Sequence, residues 1–250
     1  MIKIAFFDVD GTLLKMGHKE LSERTLHTLI SLRQNGVKLC MATGRGYLSA
    51  PRFPGIDFDA LLTFNGSYVT VGDEIIFKCP LDRVDKLQLL QNLKDMHRAV
   101  AISNEHFIIT NGTDPDLEQY FRFGSEMLKI DKQFDERVRE DIYQMMCACR
   151  EEEYERILYG THHTQITACG TERLISFPWN VGRETLCARY FSILALQRRK
   201  PSLLEMASMI SRCWKQSAPV WPWGMRRMRS KPTPPARADR WKKTESTIFA

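Results

Sequence analysis

No stretch of this chain approaches the roughly 18 consecutive apolar residues of a membrane-spanning helix. The N-terminus runs straight into Ile2-Lys3-Ile4, without the charged-then-apolar pattern of a signal peptide. The seven cysteines are odd in number and irregularly spaced, which argues against a disulfide framework and for reduced thiols. Cys147 and Cys149 have one residue between them, not the two of a zinc knuckle, and fit a half-buried strand better. These absences predict a cytoplasmic protein with no membrane partner. Internal repeats and low-complexity tracts are also missing from residues 1–176.

Acidic residues are scarce in one region. Only 4 of the 30 Asp and Glu lie after Ser176, against 15 of the 36 Lys and Arg. All five tryptophans and seven of the eleven prolines lie there too, so the composition changes character at that point. The 250 residues, 43% hydrophobic and 26% charged, suffice for one large domain or a core with an insert.

The most informative segment is Asp8-Val9-Asp10-Gly11-Thr12, which follows the apolar run Ile4-Ala5-Phe6-Phe7. Two carboxylates two positions apart, at a strand's end and before a glycine turn, can share one metal ion and one phosphate. A carboxylate nucleophile beside a carboxyl proton donor divides a phosphoryl transfer into two easier steps. A plain Asp-Gly turn accounts for the same residues, so the other strand ends decide between the two.

The pattern predicts a strand over residues 2–8, with apolar residues on successive positions as in a sheet covered on both faces. A helix follows, capped by Ser22 with Glu23 in its first turn, carrying Leu26, Leu29 and Ile30 inward and ending at Gly36. Strands are predicted at Val37–Ala42, before Thr43-Gly44-Arg45, and at Ala60–Phe64, before Asn65-Gly66, with another at Tyr68–Val71. This order is the start of a doubly wound α/β fold with a Rossmann-like parallel sheet. Ligands in such sheets bind beyond the carboxyl ends of the strands. Asp8, Asp10, Thr43 and Asn65 all fall at such ends and so read as one site.

Residues 81–174 read as a second α/β unit inserted into the first. A helix is predicted over Val84–His97 with a stripe of Leu87, Leu90, Leu93 and Met96. A hairpin joins Val100–Ser103 to Phe107–Thr110 around Asn104-Glu105. A short helix follows at Asp114–Phe121, then a strand at Tyr143–Cys149, a helix at Glu151–Leu158 and a strand at Thr164–Ala168.

With these residues in hand, the chain resembles the haloacid dehalogenase-like (HAD) superfamily, and more narrowly the Cof-type sugar-phosphate phosphatases. Phe6-Phe7-Asp8-Val9-Asp10-Gly11-Thr12-Leu13, Ala42-Thr43-Gly44-Arg45 and Phe64-Asn65-Gly66-Ser67 carry the resemblance, which covers residues 1–176. It implies a magnesium-dependent hydrolase of small phosphorylated metabolites. Asp8 would be the nucleophile that becomes an aspartyl phosphate, and Asp10 the acid that protonates the leaving alcohol and then activates water. Asp8 and Asp10 would contact magnesium. Gly11 and Thr12, through backbone N–H groups, would hold phosphate together with Thr43 and Gly44. Arg45, Asn65 and Gly66 would lie toward the substrate and the cap. A phosphomutase on the same scaffold would use the same residues. The domains implied are a core from 1–80, an inserted α/β cap over 81–174 that chooses the substrate, and a tail over 175–250 in place of the rest of the core.

Two elements of that family are missing: a lysine opening a helix after the cap, and a Gly-Asp-Gly-x-Asn-Asp segment that completes the magnesium site. After Ser176 the acids are Glu184, Glu205, Asp239 and Glu245, no two of them close in sequence, and Lys200 precedes a proline. Joining the last base of each codon to the first two of the next recovers the segment. Met206-Ala207 must then give Gly, Met209-Ile210 Asp, Cys213-Trp214 Leu, Trp214-Lys215 Glu, Trp221-Pro222 Ala and Trp223-Gly224 Gly. These forced letters fall at the spacing of the missing segment and the stretch that follows it, and the degenerate junctions permit the rest, including a lysine between Val181 and Phe191. The tail therefore reads as out of frame from near residues 175–181. The chain as written is expected to be impaired, its tail poorly ordered, and apolar faces at Phe6, Leu39 and Leu62 exposed. A basic tail interleaved with Trp would also suit nucleic acid, but the frame change explains its composition, and no nucleic-acid partner is expected.

Overall fold

The structure is a computed structural model that describes residues 4–15, 17–123, 128–168, 173–178 and 227–228. Five strands form a first sheet in chain order: β1 (Ile4–Phe7), β2 (Lys38–Ala42), β3 (Ala60–Thr63), β4 (Tyr68–Val71) and β5 (Glu74–Lys78). β1, β2 and β3 run parallel, with Phe6 opposite Cys40 and Met41 opposite Leu61. β4 and β5 return antiparallel. Parallel pairing requires a crossover, which α1 (Glu23–Gln34) supplies between β1 and β2. Ser22 caps it by accepting the Thr25 N–H at 3.1 Å, and Asn35 ends it before Gly36. β5 was not read from the sequence. Its pattern, Glu74-Ile75-Ile76-Phe77-Lys78 after the Gly72-Asp73 turn, is short and only partly alternating.

The parallel strands are apolar on both faces because both faces are covered. Ile4, Phe6, Cys40, Leu62, Val69 and Ile76 share one side. Ala5, Phe7, Leu39, Met41 and Leu61 share the other, packed on Leu26, Leu29 and Ile30 of α1 and on Phe53 and Ile56. Leu39 and Leu62 are therefore buried, against the expectation that they would be exposed, and Phe6 is half-buried. α1 and the 50–58 loop cover Leu39, while the β4–β5 hairpin extends the sheet beside Leu62.

The second sheet begins after α2 (Arg83–Asp95). Its strands are β6 (Ala101–Ser103), β7 (Ile108–Thr110), β8 (Lys129–Ile130), β9 (Gln144–Ala148), β10 (Thr164–Ala168), β11 (Arg173–Pro178) and β12 (Arg227–Met228), ordered β12-β10-β11-β9-β6-β7-β8. Helices α3 (Pro115–Phe123), α4 (Phe134–Arg137) and α5 (Tyr154–Ile157) complete this part, α5 following a 3-10 turn at Glu151–Glu153. β9 is buried along its whole length, not half-buried as expected. Met145, Cys147 and Cys149 pack against Leu89, Leu90 and Leu93 of α2 and Ile157 of α5, while Met146 faces Leu117 and Phe121 of α3.

The stripe expected on α2 is rotated. Leu90 and Leu93 are buried, but Leu89 takes the place of Leu87, which is 40% exposed. Polar contacts fix this face. Asp85 accepts the N–H groups of His162 and His163 and the Thr164 hydroxyl. The Lys86 ammonium donates to the Glu140 carbonyl. Asn92 Nδ2 donates to the carbonyls of Ile157 at 2.7 Å and Tyr159 at 2.8 Å. Beyond Ser176, only Phe177, Pro178, Arg227 and Met228 are described, so the expectations for Lys200, the four tail acids and the forced positions fall outside the described residues.

Candidate active site

Three loops at the carboxyl ends of β1, β2 and β3 meet, and hydrogen bonds tie them together. After β1 the chain turns through Gly11, whose φ of 84° favours glycine. This turn is closed on itself: Gly11 N–H donates to Leu14 O at 2.8 Å, Thr12 N–H to Val9 O at 3.4 Å and Leu13 N–H to Asp8 O at 3.2 Å. The N–H groups of Gly11 and Thr12, expected to meet phosphate, here donate to carbonyls within the loop. Asp8 is half-buried at the strand's end, and Asp10 is exposed.

After β2, Thr43 is buried and its N–H donates to Leu62 O on β3 at 2.9 Å. Its Oγ1 accepts the Arg45 N–H at 3.1 Å, which leaves the hydroxyl hydrogen to donate. After β3 the chain enters a single 3-10 turn at Phe64–Gly66 in which all three residues have positive φ: 52°, 54° and 90°. Asn65 N–H donates to Thr43 O at 3.0 Å, and Phe64 N–H to Arg45 O at 2.8 Å. The Asn65 side chain lies against Gly44, where a β-carbon would come within 3.0 Å of Oδ1. Non-glycine residues at positive φ are costly and concentrate at functional sites.

Arg45 reaches across to the first loop. Its Nε donates to Asp10 Oδ2 at 2.9 Å and its Nη2 to Asp10 Oδ1 at 2.7 Å, a bidentate ion pair between residues 35 apart in sequence. The sequence pointed Arg45 toward the substrate or cap; here it grips Asp10. Among the described residues no group of three or more His, Cys, Asp or Glu side chains is placed to hold a metal ion. Asp8 and Asp10 alone do not complete a magnesium site, which needs about six oxygen ligands.

The second sheet closes over these loops. Gln144 Nε2, on β9, donates to Gly44 O at 3.3 Å. Tyr143 stacks on Phe64, centroids 5.3 Å apart, and meets Tyr68 edge-on at 5.4 Å, while Tyr47 meets Tyr68 at 5.3 Å. Burial pushes the Tyr143 hydroxyl above the ordinary tyrosine range, and the nearby Glu105 charge adds to this. Lys78 of β5 donates to Glu105 Oε1 at 2.7 Å, a bond that raises the lysine's pKa and bridges the two sheets. Gln144, Tyr143 and Glu105 were missed in the sequence. A polar Gln144 inside the apolar run Tyr143–Cys149 was the available signal.

The sequence model of the haloacid dehalogenase-like hydrolases matches residues 5–173. The chain belongs to that family. Among its relatives, the HMP-PP phosphatase of Escherichia coli O81 (strain ED1a) is 37% identical over 135 residues, 52% of this chain and 48% of that protein. A relative from Bacillus subtilis (strain 168) is 27% identical over 154 residues, 60% of this chain and 59% of its own. The chain thus matches only about half to three fifths of these relatives' length. The solved HAD structures show the same fold. One, a phosphatase of the superfamily from Bacteroides thetaiotaomicron, has a TM-score of 0.65 at 20% identity and covers 80% of this chain and 74% of its own. Another, described as a HAD subclass IIB sugar phosphatase, has a TM-score of 0.65 at 19% identity, covering 78% and 76%. Among the described residues no helix is long and apolar enough to cross a membrane.

Proposed function

We propose that this HAD protein is built for magnesium-dependent hydrolysis of small phosphorylated metabolites such as sugar phosphates, through an aspartyl phosphate on Asp8. The observation that supports this reading is the joining of three strand ends, carrying Asp8 and Asp10, Thr43 to Arg45, and Asn65, by direct hydrogen bonds. An Asp8 oxygen attacks phosphorus, and the bond from phosphorus to the substrate's alcohol oxygen breaks. That oxygen leaves with the electron pair and takes a proton from Asp10. Water then attacks the phosphorus of the aspartyl phosphate, gives a proton to Asp10, and Asp8 leaves as carboxylate. The Thr43 hydroxyl and the Gly44 N–H hold the phosphoryl oxygens. Gln144, reaching Gly44 from β9, and Asn65 border the space for the substrate's remainder.

The magnesium ligands missing among the described residues belong, on this reading, to the Gly-Asp-Gly-x-Asn-Asp segment written out of frame after residues 175–181. The chain as written then lacks the lysine partner of the phosphate and the third metal carboxylate. Each such loss costs roughly 3 kcal/mol of transition-state stabilisation. The test compares two proteins on p-nitrophenyl phosphate with magnesium. The 250-residue chain should be inactive, and the frame-restored protein active and silenced by Asp8→Asn. An inactive frame-restored protein refutes the phosphatase reading, and a robustly active 250-residue chain refutes the impairment. Resequencing the DNA around codons 170–185 decides the frame directly. Product isomerisation without phosphate release would mark a mutase instead.

A further inference from the structure

We propose that Arg45 is a latch on Asp10 that the substrate's own phosphate releases. The inference rests on the phosphatase reading above. Both oxygens of the Asp10 carboxylate accept from one guanidinium fork, at 2.7 and 2.9 Å. While the fork holds both oxygens, the carboxylate is not free to turn to a leaving alcohol or to a water molecule. The latch itself is well anchored. Arg45 N–H donates to Thr43 Oγ1 at 3.1 Å, its carbonyl accepts from Phe64 N–H at 2.8 Å, and its Nη1 reaches Ser49 O at 3.5 Å.

The same fork fits a phosphate as well as a carboxylate, through two parallel N–H···O bonds. Thr43 and Gly44, which would hold the phosphoryl group, precede Arg45 directly in the chain, so an arriving phosphate meets that guanidinium. A phosphate dianion carries twice the charge of the carboxylate and displaces it. Asp10 is then free when a leaving group is in place, and is held again once phosphate departs. The pair's exposure keeps the exchange reversible: the side chains of Arg45 and Asp10 are 28% and 46% accessible. An exposed bidentate pair is worth roughly a fivefold change in an equilibrium.

The test is a double-mutant cycle on the full chain, with inorganic phosphate as the probe, measured by titration calorimetry in EDTA at low salt. The four proteins are the parent, Asp10→Asn, Arg45→Gln and the double variant, each checked for folding by circular dichroism. With a latch, Asp10→Asn tightens phosphate binding about fivefold when Arg45 is present and leaves it unchanged in the Arg45→Gln background. Arg45→Lys, which keeps the charge but not the fork, should bind phosphate and show a smaller coupling. Equal tightening in both backgrounds, the signature of simple charge repulsion, overturns the latch alone. So does Asp10→Asn without any tightening. Phosphate binding by none of the proteins overturns the latch, while the phosphatase reading stands or falls separately with the frame-restored protein on p-nitrophenyl phosphate.

Discussion

Adding one methyl group at Gly46 tests how tightly the loop after β2 is wedged between the two sheets. A β-carbon there would stand 2.9 Å from Phe64 Cε1, 3.2 Å from Phe64 Cζ and 3.2 Å from Ser103 Oγ. Contacts below 3.0 Å require something to move, and Phe64 has nowhere to go: it is fully buried, stacked on Tyr143 and edge-on to Tyr68. Overpacking of this kind costs about 1–3 kcal/mol. Alanine's smaller unfolded-state entropy returns about 0.4–1 kcal/mol, so Gly46→Ala should lose about 1–2 kcal/mol. For a chain of this size that is a fall in Tm of roughly 2–8 °C. Gly112→Ala is the control, because its β-carbon meets only the Ala99 methyl, at 4.0 Å. Differential scanning calorimetry of the two variants beside the parent measures the difference. Trimming the ring with Phe64→Leu should make the two changes non-additive, since they share one contact. A Gly46→Ala protein as stable as Gly112→Ala would refute the reasoning, because the wedge between the sheets would then have slack.

Asp59 and Asn92 offer two further tests. Burial alone would raise the Asp59 carboxyl, but the Leu39 N–H at 2.9 Å and Lys38 at 2.9 Å outweigh it and hold the group below its ordinary value. Its stabilisation is therefore full above the unfolded-state value and fades as pH falls through the folded one. Asp59→Asn should cost about 1 kcal/mol near neutral pH, shrinking toward zero below about pH 4 in urea melts; a gap independent of pH would contradict this. Asn92→Ala strips the buried carbonyl of Ile157, and the part-buried one of Tyr159, of a shared donor, and an unsatisfied buried acceptor costs about 1–3 kcal/mol. Urea denaturation should place the loss in that range, and a neutral substitution would mean that the carbonyls find other donors.

Much of the first sheet is legible in the sequence because its cues are local. An apolar run ending at Asp8, another before Thr43-Gly44-Arg45 and a third before Asn65-Gly66 each combine strand propensity with turn chemistry. The rule that ligands gather at the carboxyl ends of parallel strands then brings them together. What is not legible depends on distance in the chain. Nothing between Asp10 and Arg45 announces that they pair, since this needs the register of β1 against β2 and the curl of both loops. The loop after Asp10 closes on its own N–H groups, and that closure is invisible in Gly11-Thr12. Leu87 and Leu89 fit a helical stripe about equally. The decision falls to Asp85, Lys86 and Asn92, whose partners lie 54 to 79 residues away. The aromatic junction of Tyr47, Phe64, Tyr68 and Tyr143 is assembled from three separate stretches of the chain, around residues 47, 64–68 and 143.

The left-handed turn at Phe64–Gly66 has a consequence for engineering. An aromatic residue at φ 52° is strained by about 1–3 kcal/mol, and here the Phe64 ring is pinned beneath Tyr143 of the second sheet. The same turn feeds Asn65 N–H to Thr43 and Phe64 N–H to Arg45. The shape of the loops at these strand ends is thus underwritten by a side chain from the other half of the molecule. The two halves are not interchangeable parts: a chimera that grafts a foreign second sheet onto this first one inherits a working loop only if the graft brings a flat aromatic ring to the position of Tyr143.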